Sequence, residues 1–258
     1  NIEKEKVNLK SLFGNQEFMR EIVKYDEYGG IVKNTPIPPY LFREIVAIGG
    51  HSIKHFTTVS PLPLYHIYAY MLNMGLMPAT RGHSLLIPDP RNIPAFVKTI
   101  KNVKFEIFCG LNSLFVGLLQ NKEFQKMDFS SLSLTLSGGM ALMDAVAHDW
   151  ERVTGCVVSE GYGMTESSPI ISMNPSGFQK IGTAGIPIPG TEIKVVDEHG
   201  VEQEVGGVGE LCVRGAQVMR GYWQREAQTA EVIVDGWLHT GDIVTVDEEG
   251  YVKIVDRL

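Results

Sequence analysis

The sequence predicts an α/β fold, a parallel sheet with helices on both faces, followed by a small antiparallel β-barrel-like subdomain. Apolar runs of strand length alternate with helix-period segments from residue 51 to about residue 190. After Gly190 the rhythm changes to short β-type runs separated by turn residues, with no helix-forming run between 232 and 258. There is no sequence repeat. The expected organisation is therefore an unassigned segment 1–50, an α/β subdomain 51–190 and a small β subdomain 191–258.

Within 1–50, VNLKSLF and FMREIVKY suit helical turns, and KNTPIPPY an extended, proline-bound connector. FTTVSPLPL closes a strand, Tyr65 to Leu76 forms a helix, and HSLLIPDP is a short buried strand with its exit loop. IPAFVKTIK places Ile93, Phe96, Val97 and Ile100 at helical spacing. FEIFCG is a strand and LNSLFVGLLQN a helix. LSLTLSGG alternates Leu132, Leu134 and Leu136 and ends in two glycines. Leu142, Val146 and Trp150 share one helix face in ALMDAVAHDWERVTG, and CVVSEGYG is the next strand. In the later part, DEHG and DEEG carry glycine in fourth place, as hairpin loops that end at positive φ do.

Lys and Arg total 23 against 30 Asp and Glu, a net charge of −7, which excludes a general nucleic-acid binder. Cys109, Cys156 and Cys212 form no CxxC pair and no disulfide framework, so a reducing, cytoplasmic setting is expected. His51 and His55 have helical spacing but no acidic or cysteine companion, so no structural zinc is expected. The opening NIEKEKVNLK lacks the apolar core of a signal peptide. Phe56 to Thr80 is free of Lys, Arg, Asp and Glu, but prolines break it and leave Leu64 to Met77. That length suits a buried core helix rather than a span.

Ligands of parallel sheets bind at the carboxyl ends of the strands. Two such ends carry unusual loops, Ser137-Gly138-Gly139 and Glu160-Gly161-Tyr162-Gly163. EGYGMTESS, residues 160–168, is too interrupted for a strand and suits a loop that holds a ligand. Its glycines let backbone approach a flat ligand, or else make tight turns. Thr165 and Glu166 suit a nucleotide phosphate and its magnesium, or else the cap of a helix. Asp242 in WLHTGD suits a ribose diol, or a turn. Asp256 and Arg257 suit a surface pair, and His66 a satisfied core histidine.

Together, LPLYHI, LTLSGGM, EGYGMTE, IGTAGIPIPG, GELCVRGAQVMRGYW and DGWLHTGDIVTVDEEGYVKIVDR resemble, in order and spacing, the AMP-forming acyl-CoA synthetases. Within that family the likeness is greatest to the bacterial long-chain fatty acid–CoA ligases, through NKEFQKMDFSSL and the SGGM variant, and it covers about residues 51 to 258. The resemblance implies that Tyr162 and Gly163 lie against adenine, with Glu160 and Gly161 in the same loop. Thr165 would sit near the α-phosphate and Glu166 at Mg2+. Gly138, Gly139 and Met140 would border the adenine and the acyl carboxylate, and Asp242 and Arg257 would bind the ribose hydroxyls. His66 would stand between the acyl pocket and the reacting carboxylate, and Phe108-Cys109-Gly110-Leu111 would line the acyl tunnel.

The implied partners are a long-chain fatty acid, ATP and CoA, at a cytoplasmic location with peripheral contact at the inner membrane face; the oligomeric state is left open. Acyl-AMP would form first and pass its acyl group to CoA, catalysed by positioning and charge stabilisation. Other readings are an aryl-CoA or fatty acyl-AMP ligase and a non-catalytic acyl-adenylate-binding fragment. The sequence argues against a nucleotide-redox enzyme, because no GxGxxG stands between a strand and a helix with an acid further on. The family's Ser/Thr/Gly-rich phosphate loop ending in Lys has no counterpart in 1–50, where Gly49-Gly50-His51-Ser52 is a poor substitute. The chain ends at Leu258, ahead of the small domain that supplies the family's catalytic lysine. The expectation is a part of a ligase, inactive or nearly so by itself.

Overall fold

The computed structural model describes residues 56–257, which fall into two units, 56–185 and 186–257. The readings made for residues 1–50 lie outside the described residues.

The first unit is built on six strands: β1 (Thr57–Ser60), β2 (His83–Leu86), β3 (Ile107–Gly110), β4 (Leu134–Gly138), β5 (Val158–Gly163) and β6 (Ile170–Met173). Their order is β2-β1-β3-β4-β5-β6. The first five run parallel, and β6, which the sequence reading missed, pairs antiparallel with β5. The strand predicted in HSLLIPDP exists but is not buried. β2 is the sheet edge, and His83 and Leu86 are exposed.

Helix α1 runs through Ile67–Tyr70, a π segment Met71–Leu76, and Met77–Thr80. It ends where Arg81 turns left-handed at φ 56°. The uncharged stretch is thus not a wholly buried core helix. Ala69, Leu72, Leu76 and Met77 are buried, whereas Tyr70 and Met74 are 51% and 57% exposed. No helix among the described residues is long and apolar enough to cross a membrane.

Helices α2 (Ile93–Ile100), α3 (Asn112–Leu119) and α4 (Asp144–Thr154) form in the three segments read as helical, although Leu142, expected on the α4 face, lies just ahead of that helix. Their apolar faces meet Val59, Phe108 and Val158 in one core. Trp150 sits at its centre, with ring centroids 5.0 Å from Phe108, 4.7 Å from Phe115 and 5.4 Å from Phe124. Its indole Nε1 donates to Thr135 Oγ1 at 3.0 Å, so the one polar atom in this cluster is satisfied. Alternate strand residues face opposite ways. Ser60, next to Val59, donates to Asn73 Oδ1 of α1 at 2.7 Å, so α1 covers the other face of the sheet.

The second unit contains β7 (Ile186–Pro187), β8 (Thr191–Val196), β9 (Gly209–Gly215), helix α5 (Glu226–Val232), β10 (Ile233–Val234), β11 (Trp237–Val246) and β12 (Val252–Arg257). β8, β9, β11, β10 and β12 form an antiparallel sheet in which β11 pairs with β9, β10 and β12. Val195, Leu211, Val213, Leu238, Val244 and Val252 are among its buried residues. The two predicted hairpin loops are present. Asp197 Oδ1 accepts from the His199 and Val201 N–H groups, Asp247 Oδ1 from those of Glu249 and Tyr251. Gly200 and Gly250 take φ of 78° and 84°.

Candidate functional site

Three adjacent parallel strands bring the predicted residues of the first unit to one edge. Gly110 lies opposite Ser137, Ser137 opposite Glu160, and Gly138 opposite Gly161. The segments Gly110-Leu111, Gly138-Gly139-Met140 and Glu160–Gly163 therefore share the carboxyl ends of β3, β4 and β5, where such sheets bind ligands. Gly139 has φ 81°, and a Cβ built on it would stand 3.8 Å from the Leu111 side chain. Met140 is 64% exposed. Of the two readings of EGYG, the strand CVVSEGYG holds and the loop reading fails before Met164. β5 continues through Gly163, because Gly161, Tyr162 and Gly163 pair with Met173, Ser172 and Ile170 of β6.

The glycines are not equivalent. A Cβ on Gly163 would lie 1.7 Å from the Pro169 carbonyl oxygen, and one on Gly110 would lie 2.9 Å from Phe115. Both are therefore required by packing. Beyond Gly163, a three-residue 3-10 turn, Thr165–Ser167, replaces the helix that Thr165 and Glu166 would have capped. Ser167 closes the turn. Its buried hydroxyl accepts from Met164 N at 3.0 Å and donates to Pro169 O at 2.6 Å. Thr165 is exposed and Glu166 half-buried, so two hard oxygen donors stand side by side at the strand end.

Glu160 has a structural task that the sequence did not show. Its carboxylate accepts from Leu142 N at 3.3 Å and Gly182 N at 3.1 Å, tying the segments after β4 and β6 to β5. Burial pushes this carboxyl above the ordinary carboxylate range, although both N–H bonds favour its charged form. Asn174, absent from the sequence reading, is the companion staple. Its Nδ2 donates to Thr183 O at 2.7 Å and to Glu160 O at 3.3 Å, and its Oδ1 accepts from Lys180 N at 2.8 Å. The only signal for it was an Asn-Pro step before a glycine-rich stretch.

His66 is not a core histidine. It is exposed and begins α1, its Nδ1 accepting from Tyr68 N at 3.3 Å. Phe108, expected at the acyl tunnel, belongs to the aromatic core. It is fully buried and packs against Phe96, Phe115 and Trp150 on the far side of the sheet. Cys109, its neighbour, faces α1, where the Tyr68 ring also approaches Gly138. Burial pushes the Cys109 thiol up to about 12. Tyr68 was missed because a tyrosine inside an apolar helix has no motif of its own.

In the second unit, Asp242 lies within β11 rather than at a turn. It stands opposite Arg257 on β12, with Arg257 Nε 3.5 Å from Asp242 Oδ1. The expected Asp256–Arg257 surface pair is thereby corrected. Asp256 Oδ1 accepts the Arg257 backbone N–H, while the guanidinium turns to Asp242. Asp242 is 8% exposed, so a buried carboxylate is held beside an exposed cation.

Glycine-edged strand ends followed by hydroxyl and carboxylate oxygens stand where α/β sheets bind ligands. The chain belongs to the AMP-binding enzyme family, whose model matches residues 41–223. It is 50% identical over 200 residues to a long-chain-fatty-acid–CoA ligase of Salmonella typhimurium, which covers 77% of this chain and 36% of that protein. It is 47% identical over 211 residues to the ligase of the same name from Haemophilus influenzae, covering 81% and 37%. The chain thus spans little more than a third of the length of the curated relatives it matches. Among solved structures it is similar to the anthranilate CoA ligase AuaEII in complex with anthranoyl-AMP. The TM-score is 0.73 at 28% identity, covering 79% of this chain and 40% of that one.

Proposed function

We propose that the chain is part of a long-chain fatty acid–CoA ligase that activates a fatty acid with ATP and passes the acyl group to CoA. The observation that carries this reading is the shared strand edge, where Gly138-Gly139-Met140 and Glu160–Gly163 end adjacent parallel strands in register. The likeness to ligases of that name supports the substrate class.

In this reading the fatty acid carboxylate attacks the α-phosphorus of ATP, pyrophosphate leaves, and the CoA thiol then displaces AMP. Tyr162 and Gly163 bear on adenine beside Gly161, and the Glu160 staple keeps their strand in place. Gly138, Gly139 and Met140 border the base and the acyl carboxylate. Thr165 donates to an α-phosphate oxygen. Glu166 would hold Mg2+, whose charge offsets that of the phosphates; a hard carboxylate beside a hydroxyl fits that ion. Asp242 accepts from the ribose hydroxyls, oriented by Arg257. His66, Gly110 and Leu111 border the acyl group. No covalent enzyme intermediate is needed, so catalysis rests on positioning and preorganised charge.

Calorimetric titration with non-hydrolysable palmitoyl and benzoyl adenylate analogues tests this. The palmitoyl analogue should bind tighter, losing about tenfold for each two methylenes removed, at roughly 0.8 kcal/mol per methylene. Asp242→Ala should weaken either analogue by about tenfold or more, as loss of a charged hydrogen bond does. Tighter binding of the benzoyl analogue would favour an aryl-CoA ligase. Absence of binding by the folded chain would refute the site assignment.

A further inference from the structure

One face of the antiparallel unit carries a cluster with no part in the reading above. On β9 and β11, Cys212 stands opposite His239, and Glu210 lies two residues before Cys212 on the same face. The ladder between these strands is irregular from His239 to Ile243, and Gly241, at φ 73°, lies in the gap. Glu210 bridges it. Its Oε1 accepts from Gly241 N at 2.9 Å, and its Oε2 lies 2.7 Å from His239 Nδ1. Cys212 Sγ is 3.5 Å from His239 Nδ1 and 3.7 Å from Nε2. One ligand atom from each of the three residues lies within 4.8 Å of the other two, the one such trio among the described residues.

The cations of this face are held elsewhere. Lys194, opposite Cys212 on β8, lies over the Trp237 ring at 4.8 Å, and Arg214 lies over it at 4.4 Å while pairing with Glu192. The thiol is no nucleophile. Cys212 is fully buried, and burial pushes its thiol up to about 11. His239 and Glu210 keep side-chain exposures of 27% and 19%, so an ion can reach the thiol past them.

We propose that Glu210, Cys212 and His239 form a three-ligand site for zinc, with the fourth position left to water. In a tetrahedral zinc site a thiolate sulfur and an imidazole nitrogen stand about 3.5 Å apart, given their bond lengths to the metal. The Cys212–His239 separation of 3.5 Å already matches. The His239–Glu210 contact of 2.7 Å must open to about 3.3 Å as the ion replaces the shared proton. Cys212 gives up its proton to solvent, and the two resulting negative charges balance the ion. The Gly241 N–H bond to Glu210 orients that carboxylate from outside the site. The ion would bind β9 to β11 across the gap in their ladder. A zinc site here runs against the expectation of no structural zinc, which was drawn from sequence spacing. That expectation overlooked this trio because cross-strand neighbours 27 and 29 residues apart leave no spacing motif.

The test is titration of the whole chain with Co2+, whose thiolate ligation produces a near-ultraviolet charge-transfer band, followed by displacement with Zn2+. One equivalent of Co2+ should give the band and Zn2+ should erase it. Cys212→Ser should abolish it, and His239→Gln should weaken binding roughly tenfold or more. Cys109→Ser and Cys156→Ser should leave it intact. A wild-type chain that shows no thiolate band overturns the proposal whether or not the variants fold. So does a band that survives Cys212→Ser.

Discussion

Glycine carries two kinds of information, seen at one pair of positions in each unit, although Gly209 of the β unit is closely packed and Gly155 of the α/β unit is open. In the α/β unit, a Cβ on Gly163 would stand 1.7 Å from a carbonyl oxygen, and one on Gly185 1.9 Å from the backbone of Met173. In the β unit, Gly200 and Gly241 have φ of 78° and 73°, and an added Cβ would meet nothing within 4 Å. The first kind is fixed by close packing, the second by conformation alone. Neither kind is evidence for a ligand. The ligand reading therefore rests on Gly138, where an added Cβ meets only ordinary contacts at 3.4–3.9 Å, on its register with Gly161, and on Thr165 and Glu166 beyond the end of β5.

That contrast is easy to break. Gly163→Ala should cost about 3 kcal/mol or more, because backbone must move to admit the methyl group. The urea midpoint should collapse or the chain fail to fold. Gly200→Ala should cost only about 1–2 kcal/mol, the strain of a left-handed non-glycine residue. Equal losses from the two substitutions would remove the distinction.

The smallest effect sharpens it from the side of charge. Because Glu160's folded carboxyl is raised above the ordinary range, the folded chain holds that proton more readily than the unfolded chain. Its contribution to stability falls as pH rises from the ordinary carboxylate value through the raised one. Glu160→Gln removes this titration, so wild-type stability minus variant stability should decline with pH across that window. A difference that grows with pH would mean that the N–H bonds outweigh burial.

Much of this was legible in the sequence, for identifiable reasons. Helical spacing in IPAFVKTIK and ALMDAVAHDW located α2 and α4, since an amphipathic face has to recur every three or four residues. The Asp-x-x-Gly loops located the hairpins. β6 was not legible, since IISM is short and follows directly on the Thr165–Ser167 turn. EGYG read both as the end of strand CVVSEGYG and as the start of a loop, because glycines weaken a strand pattern even where pairing on both sides holds them in one. Among site residues, the strand-end positions were legible because topology alone sends them to one edge. Asn174, Tyr68 and the Glu160 staple depend on contacts 14 to 22 residues away or across the sheet, and local pattern is blind to those.

The central claim is that adenylate binds at the carboxyl ends of β4 and β5. Photolabelling of the whole chain with an azidoadenosine version of the palmitoyl adenylate analogue, mapped by peptide mass spectrometry, tests it directly. The account predicts label within 138–140 and 160–166, suppressed by excess unlabelled analogue. Competable label confined to other segments, with those two clean, would contradict it.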